Sequence, residues 1–321
     1  MPEVGARLRV MVEPQEGATW EQLLGMARAA ESAGFDGFFR SDHLLSIGPG
    51  PKRDALEAWT TLAALAVQTT RLRLGTLVSP MTFRHPAVLA RTVATVDQLS
   101  GGRVELGLGA GWYEAEHRAL GIPLPPMRER MERFEDGAVT IVDLLGGGPV
   151  SHHGPYFHLE EAVALPRPFQ ETLPIIVGGH GGPRSARVAA RLAAEYNTTS
   201  AGLDKVRRVF DSVRAACKAN GRDPSTMRMS WMGPCLVASD EAGLRRRARA
   251  FSAFAGETTD MAAVVEALRP RGIVGTHDQA AERMRALADA GCDRFYLQLL
   301  DLDDHEVVEE IASAVAPVAL S

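Results

Sequence analysis

Adjacent Asp42 and His43 follow an apolar run, Phe35 to Phe39, that reads as a strand. An acid beside an imidazole at a strand's carboxyl end suits proton transfer or binding of a polar cofactor edge. The plainer alternative is an Asp cap or turn beside a solvated histidine. Gly178-Gly179-His180-Gly181-Gly182-Pro183 follows a second apolar run, Ile175 to Val177. Free N–H groups at a helix start, with the positive end of its dipole, form an anion site. Pro183 suits the first helical position; a flexible turn is the alternative. Gly107-Leu108-Gly109-Ala110-Gly111-Trp112 ends a third run. Its glycines would let a flat or phosphorylated ligand approach the backbone, although tight packing gives the same pattern.

Thr76-Leu77-Val78-Ser79-Pro80 closes another strand, which must turn because proline cannot continue a ladder. Asn197-Thr198-Thr199-Ser200 offers hydroxyls, either to the same anion or as helix caps. His152, His153 and His158 lack metal-ligand spacing, so no metal is expected. No Gly-x-Ser-x-Gly nucleophile elbow occurs.

These pieces need a scaffold, and the sequence alternates throughout. Strands are expected at Leu8 to Val12, Phe35 to Phe39, Leu72 to Val78 and Val104 to Leu108, then at Ile175 to Val177, Glu195 to Thr199, Met227 to Val237 and Arg294 to Leu299. Helices are expected between them, including Thr19 to Ala33, Pro86 to Leu99, Met127 to Leu145 and Asp204 to Ala219. About eight strands alternating with helices imply a parallel sheet covered by helices. Their continuous apolar runs fit strands buried on both faces. We read one (β/α)8 TIM barrel over residues 1–321, with inserted segments near 146–164 and 254–273. The first insert looks like a hairpin, Val150 to Leu159. An open doubly wound sheet competes, but no Gly-x-Gly-x-x-Gly follows the first strand. In a barrel the loops after the strands carry function. Ser100-Gly101-Gly102-Arg103 precedes its strand and is expected to be structural.

The chain has 321 residues, 45% of them hydrophobic, enough for a barrel of ~250 residues. The formal net charge of −5 argues against nucleic acid or an anionic membrane as partner. No apolar run reaches the ~18 residues of a membrane helix, and Met1 to Arg9 lacks a signal-peptide core. Cys217, Cys235 and Cys292 lie far apart and read as free thiols of a reducing cytoplasm.

Five blocks together resemble the bacterial luciferase-like superfamily, and within it the F420-dependent oxidoreductases. They are Gly34-Phe35-Asp36-Gly37 to Ser41-Asp42-His43; Leu74-Gly75-Thr76 to Ser79-Pro80; His85 to Ala90; Leu99-Ser100-Gly101-Gly102-Arg103 to Trp112; and Pro174 to Gly179. The resemblance implies a (β/α)8 barrel, often a homodimer, that moves a hydride between coenzyme F420 and a small organic substrate. It implies His43 as proton donor or acceptor, with Asp42 orienting it or binding cofactor. It implies a non-prolyl cis peptide at Thr76-Leu77 under the deazaflavin ring. It implies Ala110, Gly111 and Trp112 against the ring or tail, and Gly178, Gly179, His180, Gly181 and Gly182 around the phosphate. A sugar-phosphate dehydrogenase of this group has a carboxylate where Trp112 stands, and its basic phosphate cluster finds no match. The expected pocket is therefore more apolar. An FMN-dependent monooxygenase is the alternative on the same barrel, and a non-catalytic flavin or deazaflavin carrier the third reading.

Overall fold

Eight parallel strands form a ring in the computed structural model, which describes residues 8–49, 52–252 and 258–319. They are β1 (Leu8–Val12), β2 (Gly37–Arg40), β3 (Arg73–Pro80), β4 (Val104–Gly109), β7 (Ile175–Gly178), β8 (Glu195–Thr199), β9 (Arg228–Val237) and β11 (Arg294–Leu299). Pairing runs in that order, and β11 returns to β1. The chain is a (β/α)8 barrel. Strands β5 (Val150–His153) and β6 (His158–Ala162) form the expected inserted hairpin. The other expected insert begins at residues 254–257, which lie outside the described residues. Its remainder holds helix α9 (Met261–Leu268) and a short strand, β10 (Ile273–Gly275), that adds to the far end of β9.

Local sequence explains the helix ends. Thr19 and Gln22 form a reciprocal capping box at α1 (Trp20–Ser32). Pro86 opens α3 (Pro86–Ser100), and Gly101 ends it at φ 68°, where glycine avoids a Cβ penalty. Arg103 lies just before β4 and donates to the carbonyls of Ala66, Thr69, Leu72 and Ser100. It ties the end of α2 (Ala58–Gln68) to the start of β4.

Each barrel strand divides its side chains between two cores, because successive residues face opposite ways. Leu8, Val10, Val12 and Phe38 pack outward under the helices. Met11, Phe39, Leu77, Ile176 and Tyr296 fill the middle of the barrel. Below them lies a buried charge network at the amino ends of the strands. Arg9 on β1 donates to Glu105 on β4 at 2.5 and 2.9 Å and to Asp36 at 2.7 Å. Arg73 on β3 also bonds Glu105. Arg294 on β11 meets Glu195 on β8 at 2.5 Å, and Tyr296 donates to Glu195 at 2.7 Å. Burial opposes the Glu105 charge, but Arg9, Arg294 and Arg73 outweigh it and hold the carboxyl well below the usual range.

Among the described residues no helix is long and apolar enough to cross a membrane. The three cysteines are buried, and burial pushes the Cys235 thiol up to about 12.

Removing one partner from a buried ion network leaves an uncompensated charge, which costs about 3–5 kcal/mol. Arg9→Met should therefore lower the urea unfolding midpoint by that equivalent, with an unchanged slope against denaturant. An unshifted midpoint would show that the network carries no weight.

Candidate active site

A cavity of about 800 Å³ opens at the carboxyl ends of the strands. It is lined by the segments that follow β2, β3, β4, β7 and β8. Of the residues singled out in the sequence, Asp42, His43, Leu77, Ala110, Gly111, Trp112, Gly178, Gly179, His180 and Gly182 line it. Thr76 and Gly181 stand behind the wall. Thr76 is fully buried, its hydroxyl within 3.0 Å of the Ser79 hydroxyl and donating to the Gly107 carbonyl at 3.3 Å. The Gly181 N–H donates to the Tyr196 hydroxyl at 2.8 Å.

The floor is a bulge in β3. Pairing with β4 shifts between Thr76 and Ser79, so consecutive Leu77 and Val78 both reach the barrel interior. A non-prolyl cis bond is present, but at Leu77-Val78, one residue beyond the expected Thr76-Leu77. Glycines make room for this floor. A Cβ on Gly107, Gly109 or Gly178 would lie 2.9, 2.5 or 3.0 Å from the Val78 side chain. On Gly107 it would also sit 2.0 Å from the Thr76 carbonyl oxygen.

His43 lines one wall. Its Nδ1 lies 3.2 Å from Oε2 of Glu116. Glu116 belongs to α4 (Glu114–Ala119), a helix absent from the sequence reading. The other Glu116 oxygen accepts the backbone N–H groups of Leu44 and Leu45. The His43 Nε2 has no protein partner among the described residues. Trp112 and Tyr113 stand edge-on to the imidazole at 5.7 and 5.9 Å. Burial alone lowers the His43 pKa. The hydrogen bond and charge of Glu116, helped by Glu13 and Asp42, outweigh it and raise the pKa. Burial likewise opposes the Glu116 charge, but His43 and the two N–H donors lower its pKa.

Asp42 is not the partner that orients His43. It accepts from the Ser79 hydroxyl at 2.6 Å and from Arg84 at 2.5 and 3.0 Å. Arg84 also donates to Glu57 at 2.5 Å. Burial raises the Glu57 pKa, yet its bonds from Thr60 and Arg84 bring it down to about 2. The chain leaves β2 at Arg40, and the two side chains diverge: Asp42 toward β3, His43 toward α4.

The opposite wall carries the glycine loop and the start of α6 (Pro183–Leu192), with Gly182 at its N-cap. Nearby, Asn197 donates to Ser230 at 2.9 Å, while its buried side-chain oxygen has no partner among the described residues. That oxygen is an unused acceptor on a residue lining the cavity. Burial and the Lys205 charge lower the His180 pKa, so the neutral form is favoured. No group of three or more potential metal ligands occurs among the described residues.

Residues 4–294 match the luciferase-like monooxygenase family, and the chain belongs to that family. One curated relative, an F420-dependent glucose-6-phosphate dehydrogenase of Microbacterium testaceum, is 38% identical over 56% of this chain and 52% of its own length. An FMNH(2)-dependent dimethylsulfone monooxygenase of Pseudomonas putida is 30% identical over 61% of this chain and 53% of its own. The chain thus spans about half the length of these curated relatives. The fold is shared with the F420-dependent tetrahydromethanopterin reductase of Methanopyrus kandleri, at TM-score 0.83, 19% identity, and coverage of 98% and 99%.

The raised His43 pKa has a stability consequence. A folded-state pKa above the unfolded value of ~6.5 stabilises fully below ~6.5 and is lost as pH rises through the folded pKa. An NMR titration should place the His43 midpoint above that of a free imidazole. Glu116→Gln should lower it; an unmoved midpoint would remove Glu116 as the cause.

Proposed function

We propose that this protein is an F420-dependent oxidoreductase acting on a small organic molecule. The observation that carries this reading is the His43–Glu116 pair, set beside the glycine-cleared Leu77-Val78 floor of one cavity. The F420-dependent relative, more identical than the FMNH(2)-dependent one, supports the cofactor choice.

The lining fits a deazaflavin. Val78 offers an apolar surface with no Cβ standing over it from Gly107, Gly109 or Gly178. The unpartnered Asn197 oxygen can accept an N–H from the ring edge. The N-terminus of α6, with Gly178, Gly179 and Gly182, suits a phosphodiester. Ala110, Gly111 and Trp112 would border the group. When bound, F420 supplies two-electron hydride chemistry, and the protein supplies position and proton control.

His43 is the proton-transfer residue of this reading. Glu116 holds its Nδ1, which fixes the ring and leaves Nε2 to exchange a proton with the substrate. Asp42 is neutralised by Arg84 and secured by Ser79, so its role is to hold the β3 bulge and the cavity wall. Those bonds leave it no free part in proton transfer.

Titration of the purified protein with F420 and FMN tests the reading. Saturable F420 binding with FMN excluded is the expected result; tight FMN binding without F420 binding would overturn it. His43→Gln should retain F420 affinity and lose about 10²- to 10⁴-fold in the hydride-transfer rate, the usual worth of a positioned acid or base.

A further inference from the structure

Resting on the proposed function, we infer that the substrate is a neutral, largely apolar molecule bearing one hydroxyl or carbonyl, and that Trp112 selects it. The two sectors of the cavity differ in charge. Among the described residues Arg184 is the one arginine or lysine lining it, and it lies on α6 with the glycine loop. It is already within 3.2 Å of the Arg128 carbonyl and 3.4 Å of Glu132. The His43 sector, three strands away around the ring, has no lining arginine or lysine among the described residues. It has carboxylates instead. Glu116 is bonded to His43, and Asp42 to Arg84. Glu13 is held by two neutral amide donors, Gln15 and Gln298, each at 2.8 Å. An anion placed beside His43 would meet the carboxylates of Glu116, Asp42 and Glu13, the last hydrogen-bonded only by neutral amides among the described residues. A phosphorylated substrate is therefore disfavoured in this sector.

Aromatic side chains stand against the same imidazole. Trp112 and Tyr113 stand edge-on to it and lie 5.2 Å from one another. Ile47, Phe83 and Met127 line the same cavity. Trp112 is 58% exposed and Met127 57% exposed, so large apolar side chains meet water at the mouth. A carbon chain laid across them would remove that surface from water. The hydroxyl or carbonyl oxygen would meet His43 Nε2. In the oxidative direction the substrate O–H bond gives its proton to Nε2. The C–H bond breaks with its electron pair, which leaves as hydride to F420, and the C=O bond forms. The reverse reduces the carbonyl and returns the proton from His43.

The test is affinity along a series of 2-alkanols from 2-propanol to 2-octanol, beside glucose 6-phosphate and inorganic phosphate. Binding is read by isothermal titration calorimetry on unloaded protein and by KM on F420-loaded protein. Each added methylene should tighten binding about fourfold until the cavity is filled. Trp112→Ala should flatten that dependence, and Trp112→Phe should restore most of it. Exposure of Trp112 makes both variants compatible with folding, which circular dichroism checks. Glucose 6-phosphate binding more tightly than 2-octanol, or a flat series, would overturn the inference. A series unchanged in Trp112→Ala would overturn the role of that residue. Failure of F420 to bind would sink the proposed function, while the unloaded-protein series would still decide the substrate class.

Discussion

The bidentate contact between Arg9 and Glu105 is the constraint on which the barrel is organised. Both side chains are fully or almost fully buried, so neither charge can stand alone. Each satisfies the other across the barrel interior, from β1 to β4. Arg73 and Asp36 extend the network toward β3 and β2. Arg294, Glu195 and the shared Tyr296 hydroxyl extend it toward β11 and β8. A strand displaced by one residue would turn its charge into the helical layer. Such a network need not add net stability over an apolar core. Its effect is on register, and it closes the amino end of the barrel with side chains of fixed partners.

With that end closed, the middle layer of Met11, Phe39, Leu77, Ile176 and Tyr296 is apolar, and the carboxyl end is left to the site. Glycines then decide how much room remains. Gly75 and Gly107 sit where a Cβ would strike the backbone of Glu105 and Thr76, at 2.1 and 2.0 Å. Gly109 and Gly178 clear the space around Val78. The bulge in β3 and the glycines of β4 and β7 are one steric arrangement.

The fold was legible because continuous apolar runs and helix caps are local signals. All eight ring strands fall where the alternation places them, although β2 starts at Gly37 rather than Phe35. Residues 35 and 36 are occupied otherwise: Phe35 bonds back to Ala30, and Asp36 bonds Leu8 and Arg9. Strand β10 escaped because three residues beside helical segments carry no period. Helix α4 escaped because six residues, Glu114–Ala119, are too few and too polar to show a face. With it went Glu116, whose partner His43 is 73 residues away in sequence. No spacing rule links them. Adjacency favoured Asp42 instead, and only the fold shows that Arg84 and Ser79 occupy it. Glu13 escaped in the same way, since nothing in its neighbourhood marks it as lining the cavity that holds His43.

Glu116 uses one oxygen for the imidazole and the other for the backbone N–H groups of Leu44 and Leu45. Those two residues begin the loop that Tyr113 also fastens, through its bond to the Ser46 carbonyl at 3.0 Å. The carboxylate that sets the basicity of His43 is therefore also the latch of the loop beside it. Displacing that loop strips donors from Glu116 and raises its own proton affinity. Loop position and acid strength are thus one variable in this cavity, written in a single side chain.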